Sequence, residues 1–105
     1  MSRKNRFVLI IICLSLVISI ASGLVISPVC TAPGNQTYPA ISGDTIVWQD
    51  DRNEPATGMD IYKWDPINGE QPVCAAPGNQ TMPAISGDTI VWMDYRNDAT
   101  TEWDI

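Results

Sequence analysis

The sequence predicts an all-β fold: four-stranded antiparallel units, about two of them with the second incomplete, following an N-terminal signal or anchor helix. Three observations carry this prediction. The chain repeats itself at a fixed spacing of 44 residues. Within each copy short apolar runs alternate with turn residues, and no apolar stripe of period 3.6 runs long enough to make a helix. Ahead of the copies stands a basic and then apolar segment of a different character.

That segment comes first. Arg3, Lys4 and Arg6 precede an apolar run from Phe7 to Ile20, interrupted only by Cys13, Ser15 and Ser19. Ala21, Ser22 and Gly23 follow, the small side chains a signal peptidase needs near the scissile bond, so residues 1–23 read as a secretory signal cleaved near Gly23. The competing reading keeps the segment as an anchor to residue 27, because Phe7 to Ile26 is uncharged and long enough to cross about 30 Å of hydrocarbon as a helix. The basic flank would then stay in the cytoplasm. Either way the repeats lie outside the cell, at its surface or free of it. Cys13 stands behind Ile12 in the middle of the apolar run, which argues against a lipid-modified cysteine.

The repeat itself is nearly exact. Val29 to Asn53 reads VCTAPGNQTYPAISGDTIVWQDDRN, and Val73 to Asn97 reads VCAAPGNQTMPAISGDTIVWMDYRN. Four positions differ: Thr31 with Ala75, Tyr38 with Met82, Gln49 with Met93, and Asp51 with Tyr95. The phase holds through the divergent stretch, since Asp60 and Ile61 fall opposite Asp104 and Ile105. We divide the chain into repeat 1 at 28–73 and a truncated repeat 2 at 74–105.

Tyr38 to Ser42 predicts a first strand, and Gly43-Asp44 a tight turn. Thr45 to Gln49 (TIVWQ) is the strongest strand signal, because β-branched and aromatic side chains suit a packed, pleated surface. Asp50 to Gly58, rich in Asp, Asn and Pro, predicts a loop. Met59 to Trp64 predicts a third strand, with Ile61 and Lys63 on the face opposite Tyr62 and Trp64. Asp65 to Gly69 (DPING) is a turn signal, and Gln71 to Ala75 a fourth strand.

Four short strands recurring every 40 to 50 residues is the period of a β-propeller blade. The run PAISGDTIVWQDDRN followed by DIYKWDPINGE resembles the TolB-type propeller repeat, and its Ile-Ser-Gly-Asp turn is similar to versions found in arrays on archaeal cell-surface proteins. The resemblance covers nearly all of the chain after the signal. It implies an extracellular array of blades and no particular activity. The family closes a ring of several blades, whereas this chain carries fewer than two. Blades bury their faces against neighbours, so the expectation is a piece of a longer array or an assembly of several copies, with Ile46, Trp48, Ile90 and Trp92 exposed on the outer faces. Further blades from the same or another chain are the first expected partners.

Charge narrows the remaining partners. Without residues 1–23 the cations are Arg52, Lys63 and Arg96 against all 12 acids, which takes the net charge from −6 to −9. Nucleic acid and anionic lipid bind through Lys and Arg that neutralise phosphates, so neither is expected, and the membrane is met only through the N-terminal segment.

The chain has no His, no Gly-rich phosphate loop and no Ser-centred nucleophile motif, so no catalytic site, enzyme activity or cofactor is expected. Asp44, Asp50, Asp51, Asp60 and Asp65 offer oxygen ligands for calcium, but their spacing matches no compact calcium loop, and turn chemistry with Asp50–Arg52 pairing accounts for most of them. Trp64 and Trp103 are candidates for stacking on a sugar ring, whereas Trp48 and Trp92 read as packing residues. Asn35 and Asn79 begin Asn-Gln-Thr glycosylation sequons in expected loops. Cys30 and Cys74 occupy one repeat position and read as small buried hydrophobes, with a disulfide as the alternative. Together these point to a non-catalytic extracellular binding or scaffold module for a protein or glycan partner, or else to a structural envelope component assembling laterally through repeat edges.

Overall fold

The computed structural model describes residues 25–105. The signal or anchor expectation falls almost wholly on residues outside that range. Among the described residues no helix is long and apolar enough to cross a membrane, and the secondary structure is all β.

Repeat 1 forms a meander of four antiparallel strands, β1 (Gln36–Ser42), β2 (Thr45–Asp50), β3 (Asp60–Asp65) and β4 (Gly69–Cys74), hydrogen-bonded in that order. Repeat 2 supplies a two-stranded sheet, β5 (Gln80–Ser86) and β6 (Thr89–Asp94). Only an isolated bridge between Asp94 and Asp104 stands where a third strand would begin. The strand readings hold to within two residues at their ends. The β1–β2 and β5–β6 hairpins each close through a two-residue Gly-Asp turn, and Gly43 takes it at φ +56, where a side chain is disfavoured.

β1 is not a regular strand. Its register with β2 shifts between Thr37 and Ala40, and Tyr38 sits at φ +53; Met82 repeats this in β5 at φ +52. The sequence cause is the following proline, Pro39 or Pro83, which has no N–H to give the ladder. The resulting bulge frees a backbone N–H to point out of the sheet.

Pairing fixes the two faces of the first sheet. Val47 lies opposite Lys63, Gln49 opposite Ile61, and Ser42 opposite Thr45, so Ser42, Val47, Gln49 and Ile61 share one face. Against it β5 packs. The bulged N–H of Met82 donates to Oε1 of Gln49 at 3.0 Å, the N–H of Gly87 donates to Oγ of Ser42 at 2.9 Å, and the N–H of Gln80 donates to the Met59 carbonyl at 2.8 Å. Val47 and Ile61 are fully buried there, each contributing about 1.5–3 kcal/mol of apolar burial.

The opposite face carries Ile46, Trp48, Asp50, Asp60, Tyr62 and Trp64. The expectation that Trp48 would be exposed is corrected: it is 3% exposed, stacked on Tyr62 with ring centroids 6.3 Å apart. Ile46, Ile90 and Trp92 are half-buried. The large apolar residues that do face solvent are others, among them Ile41, Val91 and Ile105.

Candidate functional site

Period-two geometry puts Trp48 and Asp50 on one face of β2, with Arg52 just past the strand end, and the three side chains close on one another. Trp48 Nε1 donates to Asp50 Oδ2 at 2.9 Å. Arg52 donates its backbone N–H and Nε to Oδ1 at 2.9 and 3.0 Å, and Nη2 to Oδ2 at 2.6 Å. Asp50 is fully buried and accepts all four bonds. Burial pushes its carboxyl up, but the Arg52 and Trp48 donors outweigh that and hold it below the ordinary aspartate range. Arg52 reaches further: Nη1 donates to Glu70 on β4, Nη2 donates to Cys30 Sγ at 3.2 Å, and the guanidinium lies 3.9 Å over the Tyr62 ring.

Repeat 2 rebuilds the cluster. Trp92 Nε1 donates to Asp94 at 3.1 Å, Arg96 donates its backbone N–H, Nε and Nη2 at 3.0, 2.9 and 2.5 Å, and Nη2 also donates to Cys74 Sγ at 3.1 Å. The Arg96 hydrogen bond holds the Asp94 carboxyl well below its usual range. The Asp50–Arg52 pair read from the sequence is thus the centre of a Trp-x-Asp-x-Arg rivet. Its chemistry is to hold. Both aspartates are kept ionised, both arginines are made harder to deprotonate, and burial raises the Cys30 thiol rather than favouring a thiolate.

The two cysteines are free and half-buried, each receiving an arginine N–H. Asn35 and Asn79 stand in exposed loops ahead of β1 and β5 with different partners. Asn35 turns back onto Asp51, donating its backbone N–H to Oδ1 at 2.6 Å and Nδ2 to Oδ2 at 2.9 Å. Asp51 is Tyr95 in repeat 2, and Asn79 instead accepts from the Met59 N–H of repeat 1 at 3.0 Å.

The acids weighed for calcium are engaged separately. Asp65 caps its turn, accepting from the N–H groups of Ile67 and Asn68 at 3.0 and 2.8 Å. Asp60 is fully buried, and its Oδ2 accepts from Asn53 Nδ2 at 2.8 Å and Thr57 Oγ1 at 2.9 Å, while Oδ1 has no partner. Asp44 is exposed beside Trp64. Among the described residues no three acidic or thiol side chains come together as a metal-binding group.

Trp64 is half-buried on β3 and lines an open, largely apolar groove of 350 Å³ with Ile41, Ile46 and Pro66. Trp103 occupies another repeat position, 45% exposed and tilted against Tyr95 at 4.6 Å between ring centroids. The two candidate stacking residues therefore have different neighbours in different repeats.

One recurring element escaped the sequence reading. Asn53, Thr57 and Asp60 recur as Asn97, Thr101 and Asp104, and Thr101 Oγ1 donates to Asp104 Oδ2 at 2.7 Å as Thr57 does to Asp60. The signal was available in the 44-residue alignment of this divergent loop, where only these positions and Ile61 match. Comparison with protein-family models, curated proteins and solved structures returned no match.

Proposed function

We propose that this chain is a non-catalytic extracellular binding and scaffold module whose sheets are blades of a TolB-like β-propeller. The observation that carries the reading is the seating of repeat 2 on the face of repeat 1 through Val47, Gln49 and Ile61, the way one blade stacks on the next. The rivet supports a holding role, since its ionised and fully bonded groups are unsuited to shuttling protons. Export rests on the basic and apolar segment at residues 1–23.

The binding surface in this reading is the groove beside Trp64, where a flat aromatic face with apolar neighbours and the exposed carboxylate of Asp44 suits a sugar ring. Retention on immobilised polysaccharides tests it. Wild type is expected to be retarded, Trp64→Ala to lose retention, and Trp103→Ala to keep most of it. Equal retention of wild type and Trp64→Ala overturns the groove as the binding surface.

A structural envelope component remains the second reading, favoured by one observation. The outer side of β6 borders a 710 Å³ groove lined by Ile90, Trp92, Asp94 and Ile105, where β3 lies in the first sheet. Open-ended polymers of the purified protein would select this reading over the first.

A further inference from the structure

The interface between the repeats has two sides, and each repeat carries both. Repeat 1 offers a receiving face, Ser42, Val47, Gln49 and Ile61; repeat 2 offers an inserting strand, β5, with Gln80 fully buried and Pro83 buried. At the other ends of the molecule the same two surfaces lie open. The receiving face of repeat 2 presents Ser86 and Val91, with Val91 46% exposed where Val47 is 0%. The inserting strand of repeat 1, β1, leaves Ile41 66% exposed where Ile85 is half-buried, and Pro39 exposed where Pro83 is buried.

We propose that these two open surfaces dock on one another between molecules, so that β1 of a second copy of this chain seats on the Ser86–Val91–Met93 face as β5 seats on Ser42–Val47–Gln49. The occupant is named by the molecule's own interface, because 21 of 25 aligned positions, including Ser86, Val91 and Gly43, are those already used inside the chain. Two of the four differences fall on a single contact. Inside the chain position 49 meets position 82, as Gln49 Oε1 to Met82 N–H; between chains position 93 meets position 38, as Met93 to Tyr38. Between chains the amide acceptor is replaced by a thioether, a weak acceptor for the Tyr38 backbone N–H, so this one contact is weaker than its counterpart inside the chain.

A difference beyond those 25 positions adjusts the corner. Gly58 takes φ +80, and a Cβ there would lie 2.6 Å from Asn79 Oδ1. Its counterpart in repeat 2 is Glu102, at φ +61 with a full side chain. Asn35, the counterpart of Asn79, is drawn back onto Asp51 and so leaves room for Glu102. The contact is heterologous: one face of each molecule is used up and one remains, so association either closes a ring or continues.

The inference deepens the scaffold reading and rests on its stacking of repeats, though not on any glycan. Sedimentation of the full chain in mild nonionic detergent, over a wide protein concentration range, tests it with two single-face variants. Wild-type mass is expected to rise with concentration. Val91→Glu and Pro39→Glu should each weaken association more than about tenfold, since their counterparts Val47 and Pro83 are buried in the contact and either change would bury an unpaired charge. Mixing the two variants should restore a 1:1 dimer, because each retains the surface the other has lost. Circular dichroism melts matching wild type establish that both exposed-site variants remain folded. A wild-type monomer throughout overturns the proposal and leaves a different occupant for the face. Persistent association of both variants, or a mixture that stays monomeric, also overturns it. Retention on polysaccharide is read on the dissociated variants, since Ile41 of the docking strand also lines the Trp64 groove.

Discussion

Val47 and Val91 are the same residue at the same repeat position, on strands of nearly the same sequence, yet one is fully buried and the other 46% exposed. The contrast extends along the strand. Asp50 is 0% exposed and Asp94 6%, while the arginine side chains that clamp them are 17% and 42% exposed. Local sequence sets strand, turn, bulge and rivet alike in both repeats. What differs is the company: repeat 1 has two further strands beside β2 and a second sheet on its face, and repeat 2 has neither to the same extent. Burial here is a property of neighbours, and energetic importance follows burial.

Three substitution pairs would break or sharpen this comparison. The largest effect is expected at the rivets. Asp50→Ala leaves the partly buried Arg52 without its main counter-ion and should cost about 3–5 kcal/mol in urea denaturation, against about 1 kcal/mol or less for Asp94→Ala, whose arginine meets solvent. The pH dependence has a definite sign. The folded Asp50 carboxyl titrates below its unfolded value, so its contribution is complete above the usual aspartate pKa of about 4 and is lost as pH falls further. Acid unfolding monitored by tryptophan fluorescence should be shallower in Asp50→Asn; an unchanged slope would place the acid sensitivity elsewhere.

Next comes the apolar pair. Measured on the monomer at low protein concentration, Ile61→Ala should lose about 2–4 kcal/mol, and Ile105→Ala less than about 0.5 kcal/mol, both from denaturation midpoints; equal losses would mean that repeat 2 is covered even there. The smallest effect is at the swapped polar contact. Gln49→Met removes the acceptor of the Met82 N–H and should cost about 1 kcal/mol, whereas Met93→Gln, with no such donor opposite it in the monomer, should be near neutral.

Much of the fold was legible because the repeat doubles every local signal. TIVWQ reads as a strand from its β-branched and aromatic content, and Gly43-Asp44 as a turn. The bulge was not read, because a left-handed Tyr38 or Met82 has no composition signature; the proline after each was the available clue. The sequence places Gln49 and Asp60 in strands and Asp50 and Gln80 in loops, and marks none of the four as buried, since polarity in a sequence suggests exposure unless the partners are known. Those partners arrive across the sheet or from the other repeat. Asp50–Arg52 pairing could be anticipated from its spacing, but the stacking of Arg52 on Tyr62 and its bond to Glu70 depend on β3 and β4 folding back. Of the sugar-stacking candidates, Trp64 lies in a groove and Trp103 does not share it, a distinction the repeat phase already contained.

The prolines have a consequence for what the molecule resists. An unpaired strand edge invites any extended chain to hydrogen-bond to it and grow the sheet without limit. β1 and β5 carry Pro39 and Pro83 with a bulge beside each, and β4 carries Pro72, so a fibril cannot easily take any of them as a template. Among the described strands that lie at an edge, β6 alone has no proline, and its TIVWM run is rich in β-branched and aromatic residues with no charge. Amyloid-like conversion of this protein, under conditions that separate the sheets, therefore starts at Thr89 to Met93.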